Sequence, residues 1–211
     1  MRYSEKGRPQ EPIRIAAGKV ELCLSPVKRK TAPLFNELIQ RYHYLGYSRM
    51  CGAQMRFFVY TANQLVALLG FSAAAWRVAG RDEFIGWSDA QRKAHLHRVV
   101  NNSRFLLFPW VEVANLASHA LGQLARRVGD DWQARWGYRP LLLETFVDPA
   151  RFRGSCYRAA GWALLGRTSG EGLVRPGKQY RTSPKLIFAK PLQADFRALL
   201  CSNQLKGTTE L

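Results

Sequence analysis

A chain of 211 residues and 24.0 kDa is long enough for one domain with a hydrophobic core, and it is short for two. Its 32 lysines and arginines outnumber its 15 acids, and the net charge of +17 favours a polyanionic partner. Nucleic acid is preferred to a membrane, because no apolar stretch approaches the ~20 residues that span a bilayer. The first twelve residues lack the apolar run of a secretory signal, and the four cysteines are scattered without a C-x-x-C pair, which favours reduced thiols and a cytoplasmic location.

The two ends of the chain are expected to lie outside the main domain. Residues 1–32 are polar and basic, with adjacent cations at 28–30, and we expect an arm that either follows phosphates or is simply solvated. The domain itself is expected over 33–191 and a short tail over 192–211.

A first helix is predicted from Pro33, because apolar residues then recur at helical spacing and proline is favourable in the first turn of a helix. The loop after this helix is rich in aromatic residues and is expected to turn at Gly46. It could stack on nucleic-acid bases or only cap the core, and its candidate contact residues are His43, Tyr44 and Tyr47.

The next segments predict a β-hairpin, with strands over 55–61 and 65–76 and a polar joint between them. A turn is expected at 80–82. Ser88 and Gln91 have the spacing of a capping box, which predicts a helix over about 89–99. This helix is dense in cations and either contacts phosphates or is a solvated surface; its candidate contact residues are Arg92, Lys93 and Arg98.

The second half of the chain alternates between strand and helix patterns. An apolar strand is predicted after Asn102, with a bulge or splay near Pro109. Asn115 and Gly137 are a good N-cap and a good terminator for a helix of roughly 20 residues. A strand is predicted at 141–147, a short helix at 152–160, and two further strands at 162–168 and 185–189. The loop before the last of these strands is rich in glycine and in cations that could contact nucleic acid, namely Arg175, Lys178 and Arg181.

This order predicts an α/β (α+β) fold with a single mixed β-sheet flanked by helices on both faces, since strand–helix–strand connections imply parallel neighbours.

The stretch 141–167 contains several reactive side chains between or at the ends of two predicted strands. They are those of Glu144, Asp148, Arg153, Cys156 and Tyr157. A carboxylate in the middle of an apolar run, such as Glu144, is costly to bury without a partner or a task. Glu144 and Asp148, near Arg151 and Arg153, could act as a general base with an anion clamp, or could hold a divalent metal such as Mg²⁺. Alternatively, Asp148 only caps a helix, Tyr157 only packs in the core, and Cys156 is a small buried residue.

Residues 116–167 resemble the Gcn5-related N-acetyltransferase fold in the order of their elements. Residues 156–162 (CYRAAGW) are similar to the Tyr-x-x-x-Gly-Phe signature of that superfamily, which implies that Tyr157 is a general acid toward a coenzyme A thiolate. Such enzymes bind the coenzyme pyrophosphate at a glycine-rich turn before the long helix. Here that segment, 113–119 (VANLASH), lacks glycine, so acetyl-CoA binding is disfavoured, although Ser118 and His119 could still help to hold an anion.

A second resemblance, to the Druantia anti-phage protein A family, covers nearly all of the chain after about residue 35. It rests on seven short blocks, which are 43–46 (HYLG), 84–87 (FIGW), 116–119 (LASH), 144–148 (ETFVD), 151–154 (RFRG), 156–157 (CY) and 166–168 (GRT). Relatives of that family occur fused to, or beside, transposases. The resemblance implies a role in defence or mobile-element biology, with DNA as the partner and with a helicase or transposase as a candidate protein partner.

Charge and resemblance together predict a DNA-binding protein of an anti-phage or mobile-element system, with Arg151 and Arg167 as further contact candidates. DNA cleavage or strand transfer through Glu144, Arg153 and Tyr157 would be the enzymatic form of this function. The alternative is an acyl-CoA-dependent N-acyltransferase with an atypical coenzyme-binding turn.

Overall fold

A computed structural model describes residues 12–14, 20–50, 52–170 and 182–203. Within these ranges the strands are β1 Ile13–Arg14, β2 Cys23–Pro26, β3 Met55–Thr61, β4 Gln64–Ala73, β5 Val99–Leu107, β6 Val111–Glu112, β7 Leu142–Val147, β8 Ala163–Arg167 and β9 Leu186–Pro191. The helices are α1 Ala32–Tyr42, α2 Ala79–Ile85, α3 Asp89–His95, α4 Leu116–Trp136, α5 Ser155–Ala159 and α6 Phe196–Leu200. No helix in these ranges is both long enough and apolar enough to cross a bilayer.

Seven of the strands form one mixed sheet in the order β2-β3-β4-β5-β7-β9-β8. Its neighbours are antiparallel except for β5 and β7, which are parallel because α4 crosses over between them. The predicted α/β class with a mixed sheet is thus confirmed. The strands predicted at 141–147 and 162–168 were expected to be parallel neighbours, and this pairing is wrong. β9 lies between β7 and β8 and pairs antiparallel with both of them.

Hydrophobic residues pack on both faces of the sheet, since successive side chains of a strand point to opposite sides. The larger core extends over both faces: α4 covers Phe57, where Arg127 lies 5.9 Å from the ring, and α1 covers Phe58 on the other face, where Phe35 meets it at 6.0 Å. On the α4 side, β7 contributes Leu143 and Val147 to this core. Helices α2 and α6 cover the smaller core, to which β7 contributes Leu142. Alternation therefore assigns Glu144 to the α2 side of β7 and Thr145 to the α4 side.

Several predicted elements are found where the sequence indicates them. The hairpin turns at Ala62 and Asn63, both at positive φ, as the right-handed twist of a two-residue hairpin requires. Ser88 and Gln91 form the expected reciprocal capping box at the start of α3. Helix α4 begins after Asn115 and ends at Gly137 as predicted, although the Asn115 side chain makes no capping hydrogen bond.

Other elements differ from the prediction. A helix, α2, occupies the segment where a turn was expected at 80–82, because its first residues carry a buried side chain, Arg81, toward the sheet. Strand β5 begins at Val99, and its bulge lies at Ser103, which is skipped between the pairs Gly70–Arg104 and Phe71–Asn102.

Both predicted terminal segments contribute to the domain. β2 lies within the expected arm, yet it forms an edge of the main sheet and buries Leu24, and Leu22 just before the strand is buried as well. Helix α6 lies within the expected tail, and it buries Phe196 and Leu200 in the smaller core. The chain after α6 also contacts α3, where the Ser202 carbonyl lies 2.8 Å from His95 Nε2.

Candidate functional site

A cleft opens where β5 and β7 stop pairing. The two strands are in register only over Val99–Asn101 and Leu142–Glu144, and a cavity of about 410 Å³ lies beyond these pairs. We call it the strand cleft. It is lined by β5, β7, the loop after α1, the first turn of α4 and the segment leading into α5, through residues that include His43, Tyr44, Asn102, Phe105, Ala117, Thr145, Phe152, Arg153, Cys156 and Tyr157.

The base of the strand cleft is closed by a hydrogen-bonded network around Asn102. Its side-chain amide donates to the carbonyls of Gly70 and Arg104, each at 3.1 Å, and so provides hydrogen bonds to backbone groups at the β-bulge. Its Oδ1 accepts from the Tyr157 hydroxyl at 2.7 Å, and its backbone carbonyl accepts from the Thr145 hydroxyl at 2.9 Å. Asn102 therefore ties the two strands together at the point where they separate.

Tyr157 is held as a packed and protonated side chain. Its ring stacks on Phe188 with centroids 5.7 Å apart and meets Trp162 edge-on at 5.0 Å. Burial raises the pKa of its hydroxyl, although a hydrogen bond with Thr145 opposes that shift. A buried phenol that already donates to Asn102 is poorly suited to attack DNA as a phenolate.

Glu144 lies on the opposite face of β7, in the smaller core. Its two carboxylate oxygens accept from Arg81 Nη1 at 3.0 Å and from the Ala75 N–H at 3.1 Å. The side chains of Glu144 and Arg81 are both fully buried. Burial raises the pKa of the Glu144 carboxyl, whereas Arg81 and the Ala75 N–H favour its ionised form.

Glu144, Arg153 and Tyr157 consequently do not form one site. Arg153 and Tyr157 line the strand cleft, while the sheet separates Glu144 from both of them. Glu144 and Asp148 also do not form a Mg²⁺ site, since the Glu144 carboxylate is bonded to a guanidinium, and Asp148 accepts from Lys185 Nζ at 2.8 Å. Among the described residues, no group of three or more His, Cys, Asp and Glu side chains could hold a metal ion.

Arg81 is the partner that the sequence analysis missed. Its guanidinium also donates to Asp82 and to the carbonyls of Ala75 and Trp76, and Asp82 accepts in addition from the Trp87 indole N–H at 3.0 Å. An acid inside an apolar run requires a buried cation nearby, so the position of Glu144 was the available indication.

Asp148 ends β7 in a turn rather than capping α5. Its Oδ1 accepts from the Ala150 N–H at 3.1 Å, and the hydrogen bond from Lys185 is the largest cause that lowers the pKa of the Asp148 carboxyl. Helix α5 starts only at Ser155, after Gly154 at φ +69. A Cβ at position 154 would lie 2.5 Å from the Phe188 ring, so glycine is required for this close approach.

The mouth of the strand cleft is aromatic and cationic. Tyr44 stacks on His43 with centroids 4.9 Å apart, and it lies 5.5 Å from Phe152, which is 52% exposed. The guanidinium of Arg151 sits over the Tyr44 ring at 5.0 Å. Desolvation, followed by repulsion from Arg104, lowers the pKa of His43 to about 4, so His43 is neutral at neutral pH. Its Nδ1 accepts from the Leu45 N–H at 3.2 Å.

Other predicted site residues are dispersed over the molecule. Cys156 lines the cleft, but burial raises the pKa of its thiol and makes it a weak nucleophile. Arg92 is buried, donates to Asp89 at 2.7 Å and packs over Trp76, so it is not available to a phosphate. Lys93 is exposed on α3, and Arg98 is half-buried beside the Arg139 carbonyl.

The remaining candidates fall into three groups. Tyr47 is exposed near the cleft without lining it, and Arg167 is exposed on β8. Ser118 donates to the Asn115 carbonyl at 2.9 Å, beside the exposed His119. Arg175, Lys178 and Arg181 lie outside the described residues.

The N-terminus of α4 is open to the strand cleft. Within the glycine-free segment 113–119, Leu116 is buried in the larger core, and it is Ala117 that lines the cleft. The first-turn N–H groups of a helix attract anions, so this end of the cleft adds to its positive character.

Comparisons with known proteins agree with this architecture. A family model described as Druantia protein DruA matches residues 3–182. No curated protein sequence matches the chain. Among solved structures, a chimera of the spermidine N-acetyltransferase SpeG from Vibrio cholerae and hSSAT is 13% identical, with a TM-score of 0.51 over 81% of this chain and 95% of that one. At this identity the likeness shows the fold alone.

Two further acetyltransferase structures are similar at lower scores. The ribosomal-protein-S18-alanine N-acetyltransferase from Escherichia coli is 11% identical, with a TM-score of 0.48 over 82% of this chain and 96% of that one. A polyamine N-acetyltransferase from Drosophila melanogaster is 10% identical, with a TM-score of 0.48 over 81% of this chain and 100% of that one.

Proposed function

The chain belongs to the Druantia protein DruA family, and on that premise we propose that it is a nucleic-acid-binding protein of an anti-phage defence system. The contact surface is the face that carries the mouth of the strand cleft. The observation that carries the proposal is the set of exposed arginines around an aromatic opening, in a chain of net charge +17. These arginines are Arg151, Arg153, Arg158 and Arg167.

The chemistry of this face suits a polyanion. Arginine binds phosphate through a planar fork of donors, and aromatic rings stack on bases of any sequence. The nearby acid Asp148 is neutralised by Lys185, so it does little to offset the arginines. Binding is proposed rather than strand cleavage through Glu144, Arg153 and Tyr157, because Glu144 lies on the other face of the sheet from the cleft.

The test is the affinity for a labelled oligonucleotide as a function of salt concentration, measured by fluorescence anisotropy. Each phosphate contact steepens the fall of log affinity with log salt by about 0.7 for a single strand. The double variant Arg151→Gln/Arg153→Gln is therefore expected to reduce the slope by about 1.4.

A matched control removes two cations elsewhere. Arg126 in the middle of α4 and Arg135 near its end are exposed and do not line the cleft. Arg126→Gln/Arg135→Gln removes the same charge, and we expect it to leave the slope within experimental error. Absence of binding at low salt, or an equal effect of the two double variants, would contradict the proposal.

A second candidate function is N-acyl transfer with an acyl-CoA. It is favoured by the position of the strand cleft between diverging parallel strands, with the N-terminus of a 21-residue helix at one end. Titration calorimetry with acetyl-CoA tests it directly. Binding that Ala117→Asp abolishes would support this function, because a carboxylate at the helix N-terminus repels the pyrophosphate, and no heat of binding would exclude it.

A further inference from the structure

A second concavity adjoins the strand cleft. It is an open groove of about 410 Å³ between α5 and the edge strand β8, and we call it the arginine groove. Phe152 and Arg153 line both the cleft and the groove. A ligand that fills the cleft can therefore continue into the groove past these two side chains.

The arginine groove has the chemistry of a phosphate site. Arg153, Arg158 and Arg167 line it, and all three are exposed. In the part of the chain that the structure describes, no carboxylate forms an ion pair with any of them. The guanidinium of Arg158 packs over Phe188 at 5.3 Å, which limits its freedom before a ligand binds. Three guanidinium groups that no described carboxylate neutralises, around an apolar floor, favour binding of a phosphate group.

The strand cleft has a different chemistry. Its interior polar groups, Asn102, Thr145 and Tyr157, are hydrogen-bonded to one another, and none of the described carboxylates lines it. Tyr44 and Phe152 stand at its mouth. The base of such a cavity accepts a flat uncharged ring more readily than a phosphate, because its polar groups are uncharged and already bonded, whereas its one lining cation, Arg153, is exposed and shared with the groove.

From this juxtaposition we propose that the site binds an unpaired nucleotide, with its base in the strand cleft and an adjoining phosphate in the arginine groove. The inference rests on the proposed function and names its substrate class as single-stranded nucleic acid. A base in a duplex is stacked and paired, and it can enter the cleft only if it is flipped out, which costs the free energy of unstacking and unpairing. Single strands therefore bind more tightly than duplexes of the same sequence.

The experiment compares four probes of about 12 nucleotides, within the usual size of single-strand sites. They are a DNA single strand, the RNA strand of the same sequence, the DNA duplex, and an abasic DNA strand with the same number of phosphates. We expect the better of the two base-bearing strands to bind about tenfold more tightly than the abasic strand, as stacking of one base allows. The duplex is expected to bind more weakly than that strand.

Two variants separate the base site from the phosphate site. Phe152→Ala changes an exposed side chain, and it should abolish the difference between base-bearing and abasic strands without changing the salt slope. Arg158→Gln/Arg167→Gln should reduce the slope by about 0.7 for both kinds of strand, because one phosphate contact is lost, and should preserve their difference. Arg126→Gln/Arg135→Gln serves again as the control of equal charge, since neither residue lines the cleft or the groove.

The two proposals fail in different ways. Equal affinity for base-bearing and abasic strands, or for single strand and duplex, would overturn the unpaired-nucleotide site while nucleic-acid binding stands. An unchanged slope in Arg158→Gln/Arg167→Gln would overturn the groove as its phosphate site. No binding of any probe at low salt would overturn the proposed function itself.

Discussion

The two faces of β7 put adjacent residues to opposite uses. On one face, Glu144 is fully buried and bonded to Arg81 and to a backbone N–H. On the other face, Thr145 and Tyr157 close the base of an open cleft with their hydroxyl groups bonded to Asn102. The charged group is sealed inside, and the uncharged groups border the space that a ligand can enter.

This contrast teaches that reactive side chains in a sequence do not by themselves locate a binding or catalytic site. Glu144 is the most conspicuous residue of its strand, yet its environment gives it a partner and no access to ligand. The cleft is formed by a bulge at Ser103 and by the loss of pairing beyond Asn101, both of which are backbone features. We expect Glu144 to govern stability and the cleft mouth to govern binding.

The largest expected effect is that of Glu144→Gln. This change leaves Arg81 buried without its full counter-charge, and breaking a buried pair in this way typically costs about 3–5 kcal/mol of unfolding free energy. Urea unfolding followed by circular dichroism measures the loss. Glu112→Gln is the matched control, since it breaks an exposed arginine–glutamate pair with Arg14 and should cost less than about 1 kcal/mol.

The contrast between the faces would be broken if Glu144→Gln kept the stability of the parent protein and lost its affinity for nucleic acid. That outcome would show that Glu144 acts in binding and not in stability.

A smaller effect is expected from Tyr157→Phe on the cleft face. The Asn102 Oδ1 loses its hydrogen bond, and a buried acceptor left unsatisfied costs about 1–3 kcal/mol. The same unfolding measurement applies, with Tyr47→Phe as a control at an exposed tyrosine, expected within about 0.5 kcal/mol of the parent. Retained stability together with lost acyl or strand transfer would instead assign Tyr157 the role of general acid or nucleophile.

The smallest effect concerns pH and His43, a partly exposed ring whose electrostatic contribution to stability is reduced by solvent screening. Its pKa is about 4 in the folded protein and ~6.5 in the unfolded chain, so the unfolded state binds more protons between these values. The contribution of His43 to stability therefore rises as pH increases from about 4 to about 6.5. An NMR titration of the His43 ring should show a midpoint near 4.

A variant isolates this contribution from other titrations. His43→Asn keeps an acceptor for the Leu45 N–H and removes the titrating ring, so its stability should depend less on pH over the same range. His119→Gln is the control, at an exposed histidine on α4. A midpoint near the ordinary value of ~6.5 would show that the His43 ring is solvated and that the cleft mouth is more open than its contacts indicate.

Local chemistry made much of the fold predictable from the sequence. The capping box of Ser88 and Gln91, the caps of α4 at Asn115 and Gly137, and the hairpin over Ala62 and Asn63 each depend on residues close in the chain. The spatial order of the strands was not accessible in this way. The position of β9 between β7 and β8 depends on contacts between distant segments, which periodicity does not encode.

The candidate site was predictable only in part. The aromatic loop at His43 and Tyr44 and the arginines after Asp148 were identified from composition, and the structure brings them to one opening. Asn102 was passed over, because an asparagine before an apolar run usually marks a turn. Arg92 was selected as a contact residue, because a cation on a short helix is usually exposed, whereas here tertiary packing buries it.

The position of β9 also determines when the sheet can be completed during protein synthesis. β7 and β8 leave the ribosome before the strand that joins them, so each keeps an unpaired edge until residues 186–191 emerge. Phe188, which stacks on Tyr157 and fills the space above Gly154, arrives with that strand. A nascent or truncated chain that stops before residue 186 therefore lacks the ring that supports Tyr157 and Gly154, and both of these residues line the cleft.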